Sequence, residues 1–228
     1  MRGKLIVVEG TDCSGKETQT KKLVDMLTNQ GRMVNRYSFP MYDTPTGKII
    51  GGPYLGKEYI CDGWFNEGAT NVDYRVASLY YAADRLYNIP KINEDLENGI
   101  DVILDRYVYS NMAHQGAKIE DSERRIKLYS WLEELEFNLL GLPVPDIRIF
   151  LHMPTEYSKI LKQNRAEAPD QHEQDEKHLK CAENAYLEIA KYYDFKTIEC
   201  VKDNKIRTII DISDELYDIV NCYTLYKK

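Results

Sequence analysis

Four residues separate Gly10 from Gly15, and Lys16 follows the second at once. That spacing is the one a phosphate-binding loop needs. Backbone N–H groups curl around a phosphate, and glycine admits the dihedrals without a clashing side chain. The helix that follows adds its positive end. Lys16 brings a point charge to the terminal phosphates. Thr11, Asp12, Cys13 and Ser14 fill the loop. Such loops usually close on a hydroxyl residue that holds Mg²⁺; here Glu17 stands in that place, with Thr18 next. The plain alternative is a strand, a turn and a helix with a capping serine and a surface lysine.

Other residues could complete a site. Asp105-Arg106-Tyr107 follows a Val-Ile-Leu run. An aspartate there can hold Mg²⁺ and an arginine can fork onto a phosphate, or the two can form a solvated salt bridge. Asn111, about a helical turn on, could present an amide to a base edge or cap a turn. Tyr81 precedes Arg85 by four residues, so a helix puts ring and guanidinium on one face. They could bind a base, or Asp84-Arg85 could be a surface ion pair over core tyrosines. Phe39-Pro40-Met41-Tyr42 sets two aromatics around a rigid turn. Arg165 is the one basic residue from Gln163 to Glu176. It is either solvated or an arginine that closes over a transferring phosphoryl group. Asp170 and Glu173 are spaced as a helix cap pair or a metal-related site. The four histidines do not pair at ligand spacing on one element.

These residues need elements to place them. Leu5 to Val8 reads as a buried strand, followed by a helix with Leu23, Val24, Met26 and Leu27 on one face, ended by Gly31. Further strands are expected at Val34–Phe39, Ile100–Leu104, Asp146–Leu151 and Lys196–Val201. A helix is expected from Asp73, with Val76, Leu79, Tyr80, Ala83, Leu86 and Tyr87 as its apolar stripe and a bend or break at Pro90. Ile119–Leu140 reads as one long helix. Further helices are expected at Pro154–Leu161, Leu179–Tyr193 and Ile206–Tyr223, with a short one around Thr46–Ile50. The polar segment 162–176 reads as a mobile lid. Alternating strands and helices indicate an α/β fold with a parallel sheet, whose strand ends at the carboxyl side carry ligands. The phosphate loop, Phe39-Pro40 and Asp105-Arg106 all fall at such ends.

Composition narrows the classes. A chain of 228 residues, 43% of them hydrophobic, suits one domain. A net charge of −7 disfavours a nucleic-acid-coating surface. No run of about 18 apolar residues suggests a membrane span, and no apolar leader precedes the first strand. Five scattered cysteines suggest neither zinc nor a disulfide framework, which fits the cytoplasm. Eighteen tyrosines are expected to pack half-buried.

Glu9-Gly10-x-Asp12-x-x-Gly15-Lys16-x-Thr18-Gln19, Phe39-Pro40, Asp84-Arg85 and Leu104-Asp105-Arg106-Tyr107-x-x-Ser110-Asn111, in this order, resemble the thymidylate kinase family. Leu140-Gly141-Leu142-Pro143-x-Pro145-Asp146 adds to the likeness, which covers about residues 4–190. The resemblance implies a three-layer P-loop NTPase fold with five parallel strands, as a single nucleoside-monophosphate-kinase domain over 1–228. It implies transfer of the ATP γ-phosphoryl to dTMP, with Mg²⁺. It assigns Gly10 to Thr18 to the ATP phosphates. Asp12, Phe39, Pro40, Tyr42, Tyr81, Arg85, Arg106, Asn111, Asp170 and His172 fall to dTMP. Asp12, Asp105 and Glu173 fall to the metal, and Asp12, Lys16, Arg106 and Arg165 to catalysis. His114 sits where a tyrosine near the sugar 2′ position is common. A homodimer is implied. The alternatives are another P-loop nucleoside or nucleotide kinase, a nucleotide-dependent switch, for which no Asn-Lys-x-Asp motif is present, or a scaffold with a decayed site.

Overall fold

Leucine, isoleucine and valine make up Leu5–Val8, and none of these side chains reaches solvent. In an extended chain they alternate between faces. Leu5 and Val7 pack into one apolar cluster, Ile6 and Val8 into another. A strand apolar on both sides must lie inside a sheet with both faces covered. That strand, β1 (Leu5–Gly10), is the central one in the computed structural model, which describes residues 2–162 and 175–226.

The parallel sheet has the order β2-β3-β1-β4-β5, with β2 at Val34–Ser38, β3 at Asp101–Asp105, β4 at Ile147–His152 and β5 at Lys196–Glu199. Helices α1 (Lys16–Asn29) and α8 (Ile209–Tyr226) cover the face of Ile6 and Val8, where Leu23, Leu27, Ile212 and Leu216 join the core. On the other face lie α3 (Tyr74–Glu97), α4 (Val108–Gly116), α5 (Ser122–Glu133) and α7 (Glu176–Tyr192). The chain leaves β1 over one face of the sheet and leaves β3 over the other. The two strands are neighbours, with Val8 opposite Asp105. The crevice at their carboxyl ends is therefore a topological switch point. A short α2 (Pro45–Ile49) that runs on into a π-helical turn (Ile50–Tyr54), a second π-helical turn after α5 (Glu134–Leu139), α6 (Thr155–Lys162) and a small hairpin of β6 (Val201–Lys202) and β7 (Lys205–Ile206) complete the described elements.

Four sequence expectations need correction. α3 runs unbroken through Pro90, so of the two expected outcomes there the break does not occur. Pro90 and Leu86, whose carbonyl loses its bond, both lie on the exposed side, where water can serve the carbonyl. The apolar stripe expected of that helix faces outward. Val76, Leu79, Leu86 and Tyr87 are 42%, 51%, 42% and 58% exposed, whereas Ala77, Ser78, Ala82, Asp84, Arg85, Ile89, Ile92 and Leu96 are buried. The helix expected over Ile119–Leu140 begins later. Asp121 caps α5 by accepting from the Arg124 backbone N–H at 2.8 Å. Its last part, Glu134–Leu139, widens into a π-helical turn. Finally, the residues after Glu199 turn back as the β6–β7 hairpin, and α8 starts at Ile209 rather than Ile206. No helix among the described residues is long and apolar enough to cross a membrane.

Candidate active site

The loop after β1 needs its glycines for different reasons. A Cβ on Gly10 would meet Ser14 Oγ at 2.5 Å and the Leu151 carbonyl at 2.8 Å, so close approach excludes a side chain. Gly15 takes φ 79°, the left-handed region. Thr11 Oγ1 donates to the Met153 carbonyl at 2.7 Å and ties the loop to the end of β4. Lys16 is buried and donates from Nζ to the Gly10 and Thr11 carbonyls, both at 2.8 Å. Burial, aided by Arg106 and opposed by Asp12, Asp105 and Glu9, pushes the Lys16 ammonium down to about 8. Glu17, the odd residue of the loop, turns outward onto Lys21, with an N–O distance of 2.6 Å. It therefore sits against a cation one helical turn away. Thr18 is exposed beside it.

The end of β3 meets this loop. Arg106 holds φ 68°, a strained conformation for a long side chain. Its guanidinium pairs with Asp12 and donates to Tyr186 Oη at 3.1 Å and Ser110 Oγ at 3.3 Å. Burial alone would raise Asp12, but Arg106, His114 and Lys16 outweigh it and hold the carboxyl well below its usual range. Beneath them lies Glu9, fully buried. It accepts from the Tyr107 N–H at 2.8 Å, the Ser110 N–H at 3.1 Å and the Ser110 hydroxyl at 2.5 Å. A carboxylate at the first turn of α4 is well placed against the helix dipole. Burial nonetheless raises its pKa. Asp105 is paired through Oδ2 with Arg36 at 2.7 Å. Arg36 also donates to Thr20 at 2.7 Å.

A cavity of about 510 Å³ opens over these strand ends. Asp12 to Thr18 line one side. Phe39, Pro40, Tyr42, Tyr81, Arg85, Asp105, Arg106, Asn111 and His114 line the rest, together with Lys57. The structure thus gathers every sequence-derived site residue among those described except Gly10 and Thr11, which support the loop from below. Asp170, His172, Glu173 and Arg165, and most of the segment expected as a lid, lie outside the described residues.

The aromatic and polar wall is built from three elements. Phe39-Pro40 ends β2, and the loop beyond it is held by Asp84, which accepts from the Met41 N–H at 3.0 Å and Thr46 Oγ1 at 2.8 Å. Asp84 and Arg85 are therefore not a surface ion pair. Both are buried, and Arg85 pairs instead with Glu136 of the π-helical turn. Tyr81 packs edge-on to Tyr54 with ring centres 5.9 Å apart. Lys57 lays its ammonium over the Tyr42 ring, 5.1 Å from its centre. Asn111 donates from Nδ2 to the Ser78 carbonyl at 3.3 Å and to Glu136 Oε1 at 3.4 Å. Its Oδ1 is buried with no hydrogen-bond partner among the described residues, as are Ser78 Oγ and both amide atoms of Gln115. Of these residues only Asn111 lines the cavity, so its Oδ1 is the atom that a ligand or water there can complete.

His114 is joined by a residue from a distant element. Its Nδ1 lies 3.4 Å from His178 Nε2, and the rings stack. Burial pushes His114 down to about 3 and His178 down to about 4.

Sequence reasoning missed Glu9, Arg36, Lys57, Glu136, His178 and Tyr186. Glu9 stood in the quoted motif and could have been found there, since an acid at the end of a fully apolar strand must be paired. The others carry no local signal.

A family model described as thymidylate kinase matches residues 8–210. The thymidylate kinase of Schizosaccharomyces pombe is 30% identical over 226 residues, covering 99% of this chain and 95% of that one. The human thymidylate kinase is 34% identical over 152 residues, a match that covers 67% of this chain and 62% of the human one. A solved thymidylate kinase structure from Candida albicans superposes with a TM-score of 0.75 at 25% identity, covering 98% of this chain and 93% of that chain.

Proposed function

The chain belongs to the thymidylate kinase family, and on that premise we propose that its cleft moves the ATP γ-phosphoryl onto dTMP, giving ADP and dTDP for dTTP synthesis. ATP is the phosphoryl donor of the family. The observation that carries the reading is the meeting of two strand ends. The phosphate loop after β1 and Arg106 after β3 are joined by the Asp12–Arg106 pair, and an aromatic wall stands beyond. One side suits a polyphosphate and the other a flat base with its own phosphate.

The acceptor phosphate oxygen is already an anionic nucleophile, so no general base is needed. The chain's task is alignment and charge neutralisation. Loop N–H groups and Lys16 hold the donor phosphates. Arg106 forks onto the acceptor phosphate, and Asp12 keeps that guanidinium aimed. Phe39, Pro40 and Tyr81 sandwich the base. Tyr42 and Lys57 stand toward the acceptor phosphate. Arg165 is assigned to transition-state charge, Asp170 and His172 to the sugar, and segment 162–176 to a lid over ATP in the single domain, all from the family resemblance.

The donor set fits Mg²⁺. Asp12 and Asp105 lie beside the phosphate loop, and no group of three or more His, Cys, Asp or Glu encloses an ion among the described residues. Mg²⁺ takes one or two carboxylates and fills its shell with phosphate oxygens and water. Asp12 and Asp105 are the two carboxylates that would hold it, and it would neutralise charge on the β- and γ-phosphates; Glu173 is assigned to it from the family resemblance alone and lies outside the described residues.

The outward stripe of α3 supports a homodimer, and five cysteines that are all thiols support a cytoplasmic setting. Turnover with ATP and a panel of dTMP, dUMP, CMP and deoxynucleosides tests the function. We expect dTMP to lead, and Arg106→Ala to lower kcat/KM for dTMP by about a hundredfold or more. Preference for a deoxynucleoside would defeat the monophosphate-kinase reading.

A further inference from the structure

We infer that Glu136 is a positioning residue that sets the hydrogen-bond polarity of the base-reading wall, so that the wall accepts a 4-oxo pyrimidine with an N3–H and rejects a 4-amino one. The inference rests on the proposed function, and concerns the same cleft.

Glu136 is completely buried, and Arg85 is 2% exposed. The carboxylate takes both Arg85 Nε and Nη2, the latter at 2.6 Å. This is the two-point pairing that guanidinium geometry favours, and it fixes the plane of the fork. Nη1 takes no part in it and remains the donor that Arg85 can offer to the cleft it lines. The pair also cancels its own charge. Arg85 therefore suits an uncharged ring, while Lys16, Arg106 and Lys57 serve phosphates elsewhere in the cavity.

The same carboxylate orients Asn111. Its amide could sit either way round, but two acceptors, Glu136 Oε1 and the Ser78 carbonyl, face one end of it. Only the amino end can meet acceptors. The carbonyl Oδ1 is then left to the other side, buried and without a partner among the described residues. The wall thus offers a donor from Arg85 and an acceptor from Asn111. A 4-oxo pyrimidine answers with a carbonyl and an N–H. A 4-amino pyrimidine presents the reverse pattern at both points and would leave buried groups unpaired, the strongest form of rejection.

The π-helical turn is what allows this. Glu134–Leu139 lies at the end of α5, and the widened turn brings Glu136 into the core between half-buried Leu135 and Phe137.

Dissociation constants for dTMP and dCMP, with KM for ATP and the melting temperature, test the inference on Glu136→Gln and Glu136→Asp. Glutamine brings a donor opposite Asn111 and lets that amide turn over. We expect Glu136→Gln to weaken dTMP at least tenfold and to shrink the dTMP-over-dCMP preference at least tenfold, with KM for ATP within about twofold. Aspartate keeps the charge pair but draws back from Asn111, and should give an intermediate loss of preference. An unchanged preference in the variants, or a loss shared equally by dTMP, dCMP and ATP along with a lower melting temperature, overturns the positioning role. If the unaltered protein binds another nucleoside monophosphate in place of dTMP, the functional reading fails. The 4-oxo over 4-amino ratio, measured on that nucleotide's base pair, then decides the role of Glu136 separately.

Discussion

Lys16 shows how far a motif can be read and where packing takes over. Its place after two glycines was legible, because the loop geometry leaves few residue choices. Its titration was not, since burial among Asp12, Asp105, Glu9 and Arg106 depends on strands about a hundred residues apart. With the ammonium held down to about 8 against an ordinary value near 10.5, the free protein loses this charge as pH rises through 8. A bound triphosphate favours the charged form. We expect ATP affinity to fall as pH rises above about 8, with proton uptake on binding at pH 9, seen by titration calorimetry in buffers of different ionisation enthalpy. Equal ATP affinity at pH 7 and 9 would show that the charge on Lys16 does not govern binding. Glu17 taught the complementary lesson. Its charge beside the loop looked like a defect, and the structure turns it outward onto Lys21. Glu136, Arg36 and His178 had no signal at all, because each acts through a partner remote in the chain.

At the scale of elements, strand assignments succeeded because β1, β3 and β4 are apolar runs between turn signals. α3 failed in its faces rather than its existence. Its most apolar residues, Val76, Leu79, Leu86 and Tyr87, point outward, while Ser78, Asp84 and Arg85 point in. Periodicity locates an apolar stripe but not what covers it. A helix that lines a polar cleft with one face and carries an apolar stripe on the other suits a second copy of the chain. Leu79→Glu with Leu86→Glu should give a monomer in sedimentation velocity with the helix content unchanged. A monomeric unaltered protein would remove this reading of the stripe. α4 was not expected at all, and the helix expected over Ile119–Leu140 was placed too early and taken as uniform because the helical period continues across the Asp121 cap and the π-helical turn.

For the molecule as a whole, the parallel sheet followed from alternation, and the site fell at the carboxyl strand ends as expected, but the strand order that puts the switch point between β1 and β3 did not. What alternation could not show was which helices touch across the fold. His114 on α4 and His178 on α7 meet beside Asp12 and Arg106, with Lys118 and Asp175 also acting on His178. Their depressed values mean that the unfolded chain takes up protons below about 6.5 that the folded one refuses until near 4 and 3. Stability from this source is whole above 6.5 and falls as pH drops through that window. Urea midpoints at pH 7 and pH 5 should differ, and His178→Gln should narrow the difference; an equal gap in that variant would assign acid sensitivity to other groups. Glu9 has a separate consequence. It bolts the phosphate loop's strand to the first turn of α4, through Tyr107 and Ser110, at the bottom of the cleft. Donor loop and acceptor helix are thus one casting, like the fixed jaw and bed of a vise. On the proposed reading, the distance between the two phosphate seats is machined in before either nucleotide arrives, and any travel that grips them comes from parts of the chain that Glu9 does not hold.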